Sequence, residues 1–196
     1  MIGRLVRRPV TWVVVFILAV GGALGLYWFQ PWKLVVDQRV DERLSNATPT
    51  PSPAAEPVDD GATADPTASA EPAGGTATEP VLLAEGDFVT HEHATTGTAR
   101  LVRNPDGSHQ LEFADLDTSN GPDLRVWLTD QPVIAGRDGW HVFDDGAWVE
   151  LGPLKGNQGN QVYDIPADVD LADYRSVSIW CRRFAVSFGA AEVPTG

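Results

Sequence analysis

The sequence predicts an all-β fold: a single β-sandwich (or barrel-like) domain of about eight or nine short antiparallel strands. One transmembrane helix and a disordered linker precede it. Three observations carry this reading. Val177/Ile179/Cys181 and Phe184/Val186/Phe188 alternate with polar residues, the period of two that marks half-buried strands. Short alternating runs between turn signals recur throughout residues 83–196, with no competing helical periodicity. Finally, no charged residue occurs from Pro9 to Trp32.

Residues 1–8 form a short N-terminal segment carrying Arg4, Arg7 and Arg8. Residues 9–32 are the expected anchor, because about 20 apolar residues match the hydrocarbon thickness of a bilayer. The run outlasts the h-region of a cleaved signal. Trp12 at one end and Tyr27, Trp28 and Trp32 at the other suit interfacial belts. Arg4, Arg7 and Arg8 are matched in number by Lys33, Arg39 and Arg43, but Arg7 and Arg8 lie nearer the membrane edge. The N-terminus is therefore assigned to the cytoplasm, and the C-terminal domain to the outer side of the plasma membrane in a single-pass topology.

Residues 33–44 form a juxtamembrane segment. Leu34, Val36, Val40 and Leu44 fall roughly on one helical face, which predicts a short continuation of the helix. Residues 45–82 are rich in Pro, Ala, Thr and acids and contain no aromatic residue, so they read as a disordered linker, a stalk holding the domain off the membrane.

Residues 83–196 form the β domain. Its strands are expected around Gly86–Val89, Gly97–Val102, Ser108–Phe113, Leu124–Leu128, Trp140–Phe143, Trp148–Leu151, Gln161–Ile165 and the pair flanking Arg182-Arg183. Asn104-Pro105-Asp106-Gly107 and Asp144-Asp145-Gly146 mark turns between them. The charge is uneven: +3 over residues 1–44, −6 over 45–82 and −10 over 83–196, within a total of −13. Phosphate backbones repel so acidic a domain, which argues against nucleic acid as a partner. The single cysteine, Cys181, excludes an intrachain disulfide.

Cys181 has two readings. On an apolar strand face it is a small hydrophobe. With Arg182 or Arg183 folded over the sulfur it is a redox-competent thiol. His91 and His93, on a strand, point to one face, the geometry two imidazoles need for one metal, and with Cys181 they compose a set suited to copper. The usual copper sandwich draws its Cys and His from one loop, and Cys181 has no nearby His. Asn120-Gly121 and the amide-rich turn around Asn157, Gln158 and Asn160 are candidate binding loops, able to bond their own backbone or a polar ligand. No Ser-His-Asp order or carboxylate pair argues for a stand-alone enzyme.

Several stretches together carry a family resemblance. They are His93-x-x-x-Gly97-Thr98-Ala99-x-Leu101, Gly121-Pro122-Asp123-Leu124-x-Val126-Trp127-Leu128, Leu151-Gly152-Pro153-Leu154-Lys155-Gly156-Asn157, Tyr163-Asp164-Ile165-Pro166, and Tyr174-x-Ser176-Val177-x-Ile179-Trp180-Cys181 with its continuation to Ala191. Residues 83–193 resemble the DM13 domain, also called the electron-transfer DM13 domain. The resemblance implies a β-rich module outside the cell, with a redox or electron-transfer role around one cysteine, which corresponds to Cys181. A lone thiol cannot complete a dithiol cycle, so it would need a metal such as copper, a haem-bearing partner or a partner cysteine. The rival expectation is a non-catalytic surface module presenting its loops to a polysaccharide or a cell-envelope protein.

Overall fold

The computed structural model of the chain describes residues 9–29, 36–49 and 79–195. Arg4, Arg7, Arg8, Trp32, Lys33 and Leu34 lie outside these residues, as does the linker between 50 and 78. Helix α1, Pro9–Phe29, is 21 residues long. At 1.5 Å per residue that is about 31 Å, the thickness of a hydrocarbon core. Pro9 begins it, where the missing N–H costs nothing. The apolar residues cover its whole circumference and pack against nothing in the domain core, and it is the one helix among the described residues long and apolar enough to cross a membrane.

Among the described residues eleven strands follow: β1 Arg39–Asp41, β2 Thr48–Pro49, β3 Val81–Asp87, β4 Val89–Thr90, β5 Thr96–Arg103, β6 His109–Asp117, β7 Leu124–Thr129, β8 Trp148–Pro153, β9 Gln158–Ile165, β10 Ser176–Cys181 and β11 Val186–Glu192. They form two sheets, ordered β1-β9-β6-β5-β3-β2 and β4-β11-β10-β7-β8. The sandwich expected from the alternation is present. Its core lies between the sheets, with Leu101, Leu111 and Phe113 on one side and Val126, Val177 and Ile179 on the other. Phe88 and Phe113 meet edge to face at 5.1 Å.

Two features depart from the half-buried pattern. Every residue of β10 is buried, because the loop between β7 and β8 folds over the outer face of its sheet. There Trp127, Phe143, Trp180 and Ala190 form a second apolar cluster with Val133 and Val142. The alternate serines survive burial by bonding. Ser176 Oγ donates to the Gln131 carbonyl at 2.6 Å, and Ser178 Oγ lies 2.9 Å from Ser187 Oγ. Phe184, expected on the second strand, instead stands exposed in the turn before β11, with Ala185 at φ 50°.

The juxtamembrane segment is not helical where it is described. Residues 36–47 contain no helical turn, and β1 pairs in parallel with β9. The sheet edge outcompetes the helix because it supplies partners at nearly every step. Asn157 Oδ1 accepts from Gln38 N at 2.7 Å, Glu42 Oε2 accepts from Val162 N at 2.7 Å, and Lys155 Nζ pairs with Glu42 at 2.8 Å. Farther on, Ser45 N donates to Glu112 Oε1 at 2.6 Å. Glu112 is fully buried and paired with Arg100 at 2.9 Å. β2 then pairs in parallel with β3, Thr48 opposite Val81. β2 and β3 thus lie side by side at one edge of the sheet.

Candidate functional site: the Cys181 rim

Cys181 ends β10 and pairs with Leu124 of β7 and Val186 of β11. Its side chain belongs to the inner core and is fully buried. The chain turns immediately after it, with Phe184 N donating to the Cys181 carbonyl at 3.2 Å and Arg182 N to the Asp123 carbonyl at 3.0 Å. Burial pushes the thiol pKa up. The backbone N–H groups of Phe184, Arg183 and Asp123 oppose it, the Glu92 carboxylate adds to it, and the net shift is upward. The resting group is a buried, protonated thiol.

An ion-pair clamp closes over this end of the sandwich. Asp123 accepts from Arg125 Nε at 2.8 Å and from Arg182 Nε at 3.0 Å, and Arg125 also reaches Glu150 at 3.0 Å. Burial alone would raise the Asp123 pKa, but the two arginines outweigh it and hold the carboxyl below its ordinary value. The expected arginine over the sulfur is not found. The Arg182 guanidinium goes to Asp123 and that of Arg183 lies over Trp28, and the thiol pKa is raised where an arginine would lower it.

The proposed His91/His93/Cys181 set is not assembled. His91 and His93 lie in a bend after β4, not on a strand. His91 is on the outer face with Phe143, whereas Cys181 points into the inner core. Both His91 nitrogens are occupied: Nε2 donates to the Ile134 carbonyl at 3.2 Å, which leaves Nδ1 to accept from Ser187 Oγ at 2.8 Å. Burial lowers its pKa, although the Ile134 carbonyl opposes this, so the ring is neutral. His93 stacks on Phe188 at 4.0 Å and lies 3.8 Å from Glu92. Among the described residues no group of three His, Cys, Asp or Glu side chains converges as a metal site.

The candidate binding loops divide. Asn120 and Gly121 line a cleft of about 270 Å³ with Pro122, Asp123, Pro153 and Gly156. Asn157, by contrast, is buried, and its amide donates to Asp37 Oδ1 at 2.8 Å and to the Thr118 carbonyl at 2.9 Å. Gln158 pairs with Arg39, and Asn160 Oδ1 accepts from Asp115 N at 2.9 Å. The amide-rich turn thus holds β1 and the residues beside it.

One feature was not read from the sequence. Trp148, Trp127 and Trp180 form a stacked column with centroid separations of 4.0 and 5.0 Å. It runs from the 43 % exposed Trp148 to the residue preceding Cys181, and Trp127 Nε1 donates to Glu150 Oε2 at 3.3 Å. The only sequence hint was the Trp180-Cys181 adjacency, because the stack is a diagonal contact across three strands.

Neither the curated proteins nor the solved structures compared contain a match to this chain. The family described as "Electron transfer DM13" matches residues 87–193, which span more than half of the 196-residue chain and contain Cys181, the clamp and the tryptophan column. On that match the chain belongs to the DM13 family.

Proposed function

We propose that this protein is a membrane-anchored, extracytoplasmic DM13 domain whose redox role is centred on Cys181. The observation that supports it is the single cysteine, buried at the end of β10 within the residues that match the electron-transfer family. Ordinary thiol exchange is a poor fit, because the thiolate is the nucleophile and this thiol is both buried and shifted upward. The chemistry that suits the site is loss of an electron and a proton from the sulfur to a partner docked at the rim. That acceptor is a protein bearing oxidised copper or haem, which takes the electron while the proton passes to a base of that partner. The test compares the full chain with Cys181→Ala by voltammetry and by thiol titration in the folded and unfolded states. A Cys181-dependent redox wave is expected, and its absence from a folded protein would sink the redox reading.

A second reading has its own observation, the cleft beside Asn120 and Gly121. In it the domain is a non-catalytic module binding a polysaccharide or a cell-envelope protein. Glycan-array binding lost on Asn120→Ala, with the redox response absent, would favour it.

The outer-side placement follows from Arg7 and Arg8 at the membrane edge. Protease added to intact cells should remove the β domain, and protection of that domain would reverse the orientation.

A further inference from the structure

The segment from Val36 to Pro49 runs along the domain, entering beside Asn120 and reaching β3 through β2. Asn120 Nδ2 donates to the Val36 carbonyl at 3.2 Å, so the chain enters the domain beside the loop that carries Asp123. Residues 30–35 are all that separates this point from Phe29, the last residue of α1. Six residues fully extended reach at most about 20 Å. The loop between β6 and β7 and the turn between β10 and β11 share this end, joined by the bond from Arg182 N to the Asp123 carbonyl. The turn Asn104–Ser108, by contrast, lies at the opposite end of the sheet, where Arg103 pairs with His109.

The β10–β11 turn is built for an interface. Phe184 is 51 % exposed at its tip. The Arg183 guanidinium lies 5.3 Å from the ring centroid of Trp28, near the end of α1, and its Nη1 is buried with no hydrogen-bond partner among the described residues. A tryptophan at a helix end sits at headgroup level, and an arginine beside it meets lipid phosphates. The domain as a whole is acidic, with a charge of −10 over residues 83–196, so anionic headgroups disfavour contact with most of its surface.

We infer that the Cys181 rim docks on the headgroup layer of an anionic lipid membrane, with Phe184 entering the interface and Arg183 binding phosphate. The inference rests on reading α1 as the anchor. The redox thiol then works within the thickness of the membrane surface, and its partner approaches along that surface.

The full chain in nanodiscs containing phosphatidylglycerol, with a gadolinium-chelating lipid added, tests this by amide NMR. The amides of Arg182–Ala185 should broaden several-fold more than those of Asn104–Ser108. Equal broadening at the two ends, or more at Asn104–Ser108, would overturn it. Arg183→Glu/Phe184→Ser should reduce the contrast at least twofold. A flexible insertion of about 20 residues after Gln30 should leave most of it in place, the reach of the tether being then far longer than the domain offset. Loss of the contrast on insertion, or its survival in the double variant, would show that the tether and not the rim sets the orientation. Failure of the anchor reading is seen separately, as a chain that does not co-elute with the nanodiscs.

Discussion

Gly159 lies directly against Val40: a Cβ on Gly159 would run into the Val40 carbonyl oxygen, and Gly159 sits at φ 92°. Both facts demand glycine, the first for close approach and the second for backbone conformation. Gly159→Ala should therefore detach β1 from β9 and lower stability by about 1–3 kcal/mol. Limited proteolysis reads the outcome directly, as new cleavage between residues 36 and 47. An unchanged digest with unchanged melting temperature would contradict the docked arrangement.

Arg100 and Glu112 extend the same clasp. Glu112 is fully buried and depends on Arg100, Gln110 and Ser45 N for its partners. Arg100→Ala leaves that carboxylate without a countercharge and should cost about 3–5 kcal/mol. Adding Glu112→Gln should recover much of the loss, because the amide needs no cation. Denaturant midpoints of the two variants and the parent measure this, and a double variant no better than Arg100→Ala would refute it.

The thiol gives a pH signature. Burial raises the Cys181 pKa in the folded state, so the unfolded chain loses its thiol proton first. The stabilisation is complete below the unfolded value, about 8.5, and is lost as pH rises through the folded value. The parent should thus lose more stability than Cys181→Ala between neutral and strongly alkaline pH, a difference that also subtracts the matching contribution of Tyr163, whose pKa burial raises. Parallel alkaline melting curves would argue that the sulfur is not held as a thiol.

His91 acts at the other end of the scale. Its folded pKa is lowered, chiefly by burial, so the unfolded chain binds the proton first as pH falls below about 6.5. Stability contributed by the neutral ring is present above that value and declines toward the folded pKa. Melting temperatures from pH 8 to 5 should fall more steeply for the parent than for His91→Gln, whereas a parent curve that is flat over this range would place His91 in solvent.

Trp148 and Trp180 end the same column but differ in burial, 43 % exposed against 1 %. Trp180→Ala should cost about 3–5 kcal/mol as a core truncation. Trp148→Ala removes mainly one stacking contact, about 1 kcal/mol. Near-UV circular dichroism should lose its coupled tryptophan signal in both variants, and equal destabilisation would mean that Trp148 is buried.

The alternation around Cys181 placed Val177, Ile179, Cys181, Val186 and Phe188 on one apolar face, and that is where they lie. Turn chemistry likewise marked Asn104–Gly107, and the uncharged run marked α1. These are local properties: a period of two assigns side chains to faces, and a long apolar stretch announces itself. What covers the second face is not local. Ser178 and Trp180 read as the exposed half of β10 until the loop from β7 to β8 folds over them. Phe184 continues the periodicity in sequence, but the turn that follows Cys181 leaves it outside.

The sequence by itself therefore determined the sandwich, the apolar helix and the place of Cys181 on the apolar face of its strand. The tertiary structure alone decided that His91 and Cys181 occupy opposite faces, and that residues 36–47 clasp the domain instead of extending a helix. Those outcomes depend on partners more than 100 residues apart, such as Gln38 with Asn157 and Glu42 with Lys155. A short segment with a weak helical pattern takes whichever set of backbone partners is more complete, and the edge of β9 offers the fuller set.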